Sequence, residues 1–238
     1  KYQRLLGTAA VKVGTRLEQD GEITFGYRRG FGELKRDIGD PELNEFSFDT
    51  GDLETRVVLD SLDDVEFPTS GYYFDVLHTD SMEDLGGSTE FHSTTGRVML
   101  PVTWGKNTFS LSGDFGYTYQ DRPIERVYTT GGFFRLSGYE QSSLLASDMA
   151  IGRLQFYRKF KEVGAPMFGL GFFAGGSVEY AKLYSDYENL PDRTITAGSV
   201  FLGMNTPLLP IYFGYGLSDE DEQAVYFALG RLGAVQRW

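Results

Sequence analysis

From Phe109 to Tyr119 the chain alternates two kinds of side chain. Phe109, Leu111, Phe115, Tyr117 and Tyr119 take one parity, and Ser110, Ser112, Asp114, Gly116 and Thr118 take the other. A period of two cannot place one class of side chain on one side of an α-helix, so the segment has to be a strand with two unlike faces. It is also longer than the roughly five or six residues of an ordinary strand. The same pattern recurs along the sequence. Val11, Val13 and Leu17 oppose Lys12 and Arg16, and Ile23, Phe25 and Tyr27 oppose Thr24, Gly26 and Arg28. Further alternating runs centre on Val57–Leu59, Tyr72–Val76, Val98–Trp104, Leu154–Phe160, Phe168–Tyr180, Val200–Met204, Ile211–Tyr215 and Val225–Leu229, which makes eleven strands in all.

The connections between these runs are short at Trp104–Asn107, Lys161–Pro166, Pro207–Pro210 and Ser218–Glu222. They are long at Gly30–Asn44, Thr79–Glu90, Asp121–Leu145 and Leu183–Arg193. Tight turns at one end and long loops at the other are the habit of outer-membrane barrels, whose strands cross with only about 9–11 residues. No run approaches the roughly 18 apolar residues of a membrane-spanning helix. The net charge of −12 excludes a surface built for nucleic-acid phosphates. Cysteine is absent, so there is no disulfide framework. The sequence therefore predicts an all-β, antiparallel transmembrane β-barrel in the bacterial outer membrane, with 11–12 strands visible in residues 1–238. Single-chain bacterial barrels close with an even number of strands. Residues 1–7 are one candidate for the twelfth; the others are upstream strands or a second chain. Lys1 carries no signal peptide, which reads as a mature chain or a fragment.

Parity assigns Lys12, Arg16, Arg28, Arg56, Asp60, Asp75, Arg97, Asp114, Arg153 and Glu179 to the inner face. Charges of both signs there favour internal pairing over a selective pore. On this reading Phe115→Arg is costly and Asp114→Asn nearly silent. The stretch Val127–Gln141 (VYTTGGFFRLSGYEQ) combines three glycines with paired phenylalanines and one cation, Arg135. Such a composition suits a loop packed into an enclosure, its guanidinium seeking a carboxylate.

Three segments resemble the BamA-type superfamily, which includes BamA, two-partner secretion transporters and outer-membrane patatin-like lipases. Asp60-Ser61-Leu62-Asp63-Asp64 with Phe67-Pro68-Thr69-Ser70-Gly71 looks like its D-x-x-D…P-T-x-G strand–turn–strand signature, carried by Asp60, Asp63, Pro68 and Gly71. Residues Gly131, Gly132, Phe134, Arg135, Ser137, Gly138 and Tyr139 look like its inward-folded loop, whose tip is normally V-R-G-[FY]; here Leu136 and Ser137 separate Arg135 from Gly138. Five strands follow, ending in a Y-x-x-L-G segment at Tyr226–Gly230. The R-x-S-G-[FY] tip and that last strand are most similar to the patatin-like branch. The resemblance implies that residues 1–238 are one barrel domain, the C-terminal part of a barrel of about 16 strands, with residues 121–145 the inward loop. Periplasmic or catalytic domains would then lie upstream. It further implies that Arg135 pairs with an acid two strands beyond the loop, and parity selects Glu179.

No serine stands in a G-x-S-x-G elbow: Ser88 and Ser177 have Gly two before but Glu two after. Asp20-Gly21-Glu22 fails the D-G-[GA] pattern, so this chain is not expected to be an enzyme itself. His92 adjoins Ser93, but neighbours on a strand point to opposite faces. The acidic groups Asp80, Glu83, Asp84 and Asp219, Glu220, Asp221 lack EF-hand spacing and read as solvated, so neither metal nor cofactor is expected. The function implied is the translocator or anchor barrel of a patatin-like lipase, holding or exporting an upstream domain; the alternative is a BamA-type or two-partner-type insertion or transport barrel. Expected partners are outer-membrane lipid and, during folding, periplasmic chaperones and the barrel-assembly machinery. Apolar edges leave a homo-oligomer open.

Overall fold

The computed structural model describes residues 2–36, 46–119, 123–163, 170–187, 190–206 and 208–230. The strands are β1 (Tyr2–Leu17), β2 (Gly21–Arg36), β3 (Phe46–Asp60), β4 (Tyr73–Ser81), β5 (Phe91–Trp104), β6 (Asn107–Thr118), β7 (Tyr128–Thr130), β8 (Leu144–Ala146), β9 (Asp148–Val163), β10 (Leu170–Tyr184), β11 (Arg193–Asn205), β12 (Ile211–Ser218) and β13 (Gln223–Leu229). Eleven of them form a single sheet in chain order, from which only β7 and β8 are missing; these pair with each other. The eleven correspond one to one with the eleven alternating runs of the sequence. Among the described residues the only helical turns are two short 3-10 segments, Glu83–Leu85 and Ile124–Arg126.

Burial along β6 is inverted relative to a water-soluble sheet. Phe109, Leu111, Phe115 and Tyr117 are exposed, whereas Thr108, Ser110, Ser112, Asp114 and Thr118 are buried. In β11 the same inversion exposes Val200 and Leu202 and buries Ser199. A sheet can turn its hydrocarbon outward only where the surrounding medium is itself hydrocarbon, and it must then satisfy its polar groups among themselves.

Two compact units divide the chain: Lys1–Leu59 with Asp75–Gly96 and Gly116–Val127, and Asp60–Phe74 with Arg97–Phe115 and Tyr128–Trp238. In the first, the covered face is a lattice of charges. The Arg28 guanidinium lies 2.8 Å from Asp52 and 2.9 Å from Glu54, and Arg126 reaches both oxygens of Asp52 at 2.9 and 3.0 Å. Lys12 meets Glu54 at 2.8 Å, and Arg56 grips Asp75. The second unit is built around two apolar clusters, described with the site below.

Several expectations change. Residues 1–7 do not make a twelfth strand, because Tyr2–Leu17 is one strand, paired with β2 from Tyr2↔Arg36 to Leu17↔Gly21. The connection expected to begin at Gly30 starts later, since β2 runs on to Arg36; residues 37–45 lie outside the described residues. Arg16 and Asp60 are exposed, as is Lys12, although they share the parity of the charged face. The Ser218–Glu222 turn belongs to the loop end. Glu220 accepts a hydrogen bond from Tyr139 of the long loop and pairs with Arg193 at the start of β11. Asp114 does not line a wet space: it is buried and holds Arg97, so Asp114→Asn is not silent.

Two outcomes are expected. Cysteines at Asp192 and Asp219 should label from the same side of the membrane, with one at Lys106 reacting only from the other; shared labelling of Lys106 and Asp219 would break the strand order. In urea titrations of the vesicle-embedded protein, Phe115→Arg should cost about 2–4 kcal/mol if it lies near the midplane. Asp114→Asn should cost about 1–3 kcal/mol by removing the charge that holds Arg97; a neutral Phe115→Arg would mean that its face does not meet lipid.

Candidate functional site: the latched loop

The loop between β7 and β8 is closed at its base by the short hairpin those strands form, Tyr128↔Ala146 to Thr130↔Leu144. Its glycines supply the required backbone. Gly131, Gly132 and Gly138 have φ of +106°, +109° and +106°. Phe134 and Leu136 also sit at positive φ, 62° and 73°, where L-residues are strained by an estimated 1–3 kcal/mol each. Strain of that kind persists only where surrounding contacts fix it.

Glu179 supplies those contacts. Its side chain is fully buried, and Oε2 accepts the backbone N–H groups of Leu136 and Ser137, both at 2.7 Å. Oε1 accepts the hydroxyls of Ser137 at 2.9 Å and Ser177 at 2.6 Å. The Ser177 oxygen lies 2.7 Å from Ser199 Oγ and, having spent its own proton on Glu179, accepts from it. Ser137 Oγ in turn accepts the Phe134 N–H at 3.2 Å, tying the strained residues into one turn.

This corrects the expected latch in its donor. The bonds Glu179 accepts from the loop come from the two residues that follow Arg135. In the β9–β10 register the cation directly opposite Glu179 is Arg153. Arg153 donates to the Phe134 carbonyl and, at 2.9 Å, to Ser112 Oγ. Arg135 is half-buried.

Farther along the loop, Gly138 N–H donates to the Tyr226 hydroxyl at 2.8 Å, and that hydroxyl donates to the Tyr139 carbonyl at 2.8 Å. Tyr139 Oη donates to Glu220 at 2.6 Å. Glycines on β12 make the room: a Cβ at Gly216 would stand 2.7 Å from Ser137 Cβ, and one at Gly214 2.5 Å from the Phe133 ring. Leu136 and Tyr139 join one cluster with Met149, Ile151, Leu183 and Ile195. Phe133 and Phe134 join a second with Phe67, Tyr157, Phe173, Phe201 and Tyr212.

Phe67 comes from the β3–β4 connection, where the strand–turn motif lies. Asp60 accepts the Leu62 N–H at 3.1 Å. Asp63 Oδ1 accepts the N–H groups of Thr69 at 2.7 Å and Ser70 at 3.0 Å, and Oδ2 takes the Thr69 hydroxyl. Burial alone would push the Asp63 carboxyl up, but these bonds together outweigh it and hold it below the usual range. Asp64 caps Glu66 and Phe67, each at 2.8 Å. Tyr157 donates to the Pro68 carbonyl. Gly71 has φ +96°, and a Cβ there would lie 2.2 Å from the Ser61 carbonyl oxygen. So folded, the turn presents Phe67 to stack on Phe173, ring centroids 4.0 Å apart and planes 2° apart.

Of the other candidates, His92 Nδ1 lies 2.6 Å from Asp80, while Ser93 is buried on the opposite face, as parity required. Glu220 is paired rather than simply solvated. Alternation had assigned Arg153 to the covered face without its register, Ser199 carried no signal beyond its place on a strand, and Tyr226 entered only as the first residue of the Y-x-x-L-G segment.

In double-mutant cycles read by thermal unfolding and protease cleavage of the loop, Ser137→Ala and Glu179→Gln should couple by about 0.5–3 kcal/mol. Arg135→Ala with Glu179→Gln should couple less. Gly216→Val should release the loop to protease while the sheet stays folded. Simple additivity at Ser137 and Glu179 would remove the latch.

A family model for the Omp85 superfamily domain matches residues 1–231. Among solved structures, the chain is similar to the crystal structure of BamA from Haemophilus ducreyi lacking POTRA domains 1–3, with a TM-score of 0.72 at 15% identity. The match covers 95% of this chain and 54% of that one, so the chain spans about half the length of that relative. No curated protein matches it. The chain belongs to the Omp85 superfamily and is an antiparallel β-barrel chain of the bacterial outer membrane.

Proposed function

We propose that this chain is the membrane-embedded barrel of a BamA-type protein that inserts or transports polypeptides. The observation that carries this reading is the loop seated against Glu179, with Phe67 entering the same aromatic cluster from the β3–β4 turn. A small-solute porin has no use for a covered face filled by a latched loop and a stacked turn. A protein-handling barrel has: its wall and its plug are separate parts, each able to move when a client strand arrives. Its partners would be client outer-membrane polypeptides, periplasmic chaperones, other components of a barrel-assembly machinery, and lipid.

A second reading, the translocator barrel of a patatin-like lipase, is favoured by one feature. Ser137, the residue that sets R-L-S-G-Y apart from V-R-G-[FY], binds Glu179 through both its N–H and its hydroxyl. Depleting the full-length protein from its cells separates the two. Loss of heat-modifiable, folded outer-membrane proteins is the expected result. Loss of cell-surface phospholipase activity alone would favour the second reading. Slower small-solute entry with neither change would overturn both.

A further inference from the structure

Where the wall, the β3–β4 turn and the loop tip meet, the second unit keeps a small cavity. It leaves about 10 Å³ for the centre of a water molecule, which is room for one. Glu66 reaches it from the turn and Phe134 from the loop, while Ser110, Arg153, Gln155 and Tyr212 line it from the wall. Ser110 is only 1% exposed, and its hydroxyl oxygen has no hydrogen-bond partner within the protein. A buried hydroxyl is rarely left in that condition, because it has given up water for nothing. The neighbouring groups are turned to one another: Tyr212 donates to Glu66 Oε2 at 2.9 Å, and Arg153 donates to Ser112 and to the Phe134 carbonyl.

The lining decides what can enter. An apolar cavity of this size would stay dry, but here a hydroxyl, a carboxyl, a guanidinium and a primary amide face the space. The Arg153 guanidinium opposes a metal cation, the Glu66 carboxyl opposes an anion such as chloride, and the volume excludes any larger molecule. A small neutral molecule that donates and accepts at once satisfies all three conditions. We propose that this cavity holds one structural water, hydrogen-bonded to Ser110 Oγ and to the polar groups that line the space beside it. Such a water supplies hydrogen bonds that the wall, the turn and the loop do not supply to one another. The site is independent of whether the barrel handles clients or exports a lipase.

The test uses the full-length protein crystallised from lipid, at a resolution that shows ordered water. One water peak within hydrogen-bond distance of Ser110 Oγ is the expected result. Clear density for the lining side chains around an empty cavity would overturn the proposal. Exchanging chloride for bromide in the crystals should add no anomalous peak at this position; a peak there would make the occupant an anion and overturn the assignment to water. In urea titrations, Ser110→Ala should raise the unfolded-to-folded ratio roughly two- to tenfold, the loss of one hydrogen bond. A dry cavity predicts the opposite sign, since alanine would then remove a buried hydroxyl that nothing satisfies. An unchanged or more stable Ser110→Ala protein therefore also overturns the water. Should that variant fail to fold, the peak in the unsubstituted protein decides alone.

Discussion

The second unit depends on what happens around a single carboxylate. A buried acid costs several kcal/mol unless its oxygens are hydrogen-bonded. Glu179 meets that condition with two peptide N–H groups and two hydroxyls. Each donor comes with a constraint. The amides require Leu136 at positive φ, and the Ser177 hydroxyl requires Ser199 opposite it on β11. The loop conformation and the β10–β11 register are therefore two aspects of the same solvation problem, and moving one strands the other.

Much of this architecture is legible in the sequence because the medium imposes so strict a period. All eleven sheet strands can be found from alternation, and Glu179 lies on the face that parity assigns it. What parity does not encode is register, which depends on which residue of one strand lies opposite which of the next. Arg135 is the conspicuous cation of the loop and Arg153 one of several on the wall, yet it is Arg153 that the β9–β10 register sets against Glu179. Nor can a sequence show that a carboxylate will be met by backbone N–H groups, since every residue carries one. The β1 boundary was obscured for a related reason: Gly7, Thr8, Ala9 and Ala10 are too small to display an alternation. The Ser218–Glu222 turn was assigned to the wrong end by its length alone, whereas Tyr139 and Arg193 show where it lies.

Polar residues on the covered face divide between two ways of balancing charge. In the first unit, Asp52 and Glu54 are met by side-chain cations, three of them long and flexible enough to adjust. In the second, the loop and the β3–β4 turn bring backbone groups and aromatic rings. Phe67, Phe133 and Phe134 replace water with carbon, which strengthens the nearby hydrogen bonds by lowering the local dielectric.

The glycines of β12 have a temporal meaning as well as a steric one. Gly138 rests against Gly216, Leu217 and Ser218, its N–H reaches Tyr226 of β13, and Tyr139 reaches Glu220 in the turn between those strands. None of these partners exists until the last two strands have paired, although they come some 80 residues after the loop (|i−j| of 81 to 88). Glu179 of β10 can hold the strained turn at Phe134 and Leu136 before that hairpin forms. The second half of the loop, Gly138 and Tyr139, finds its partners only once β12 and β13 are in register.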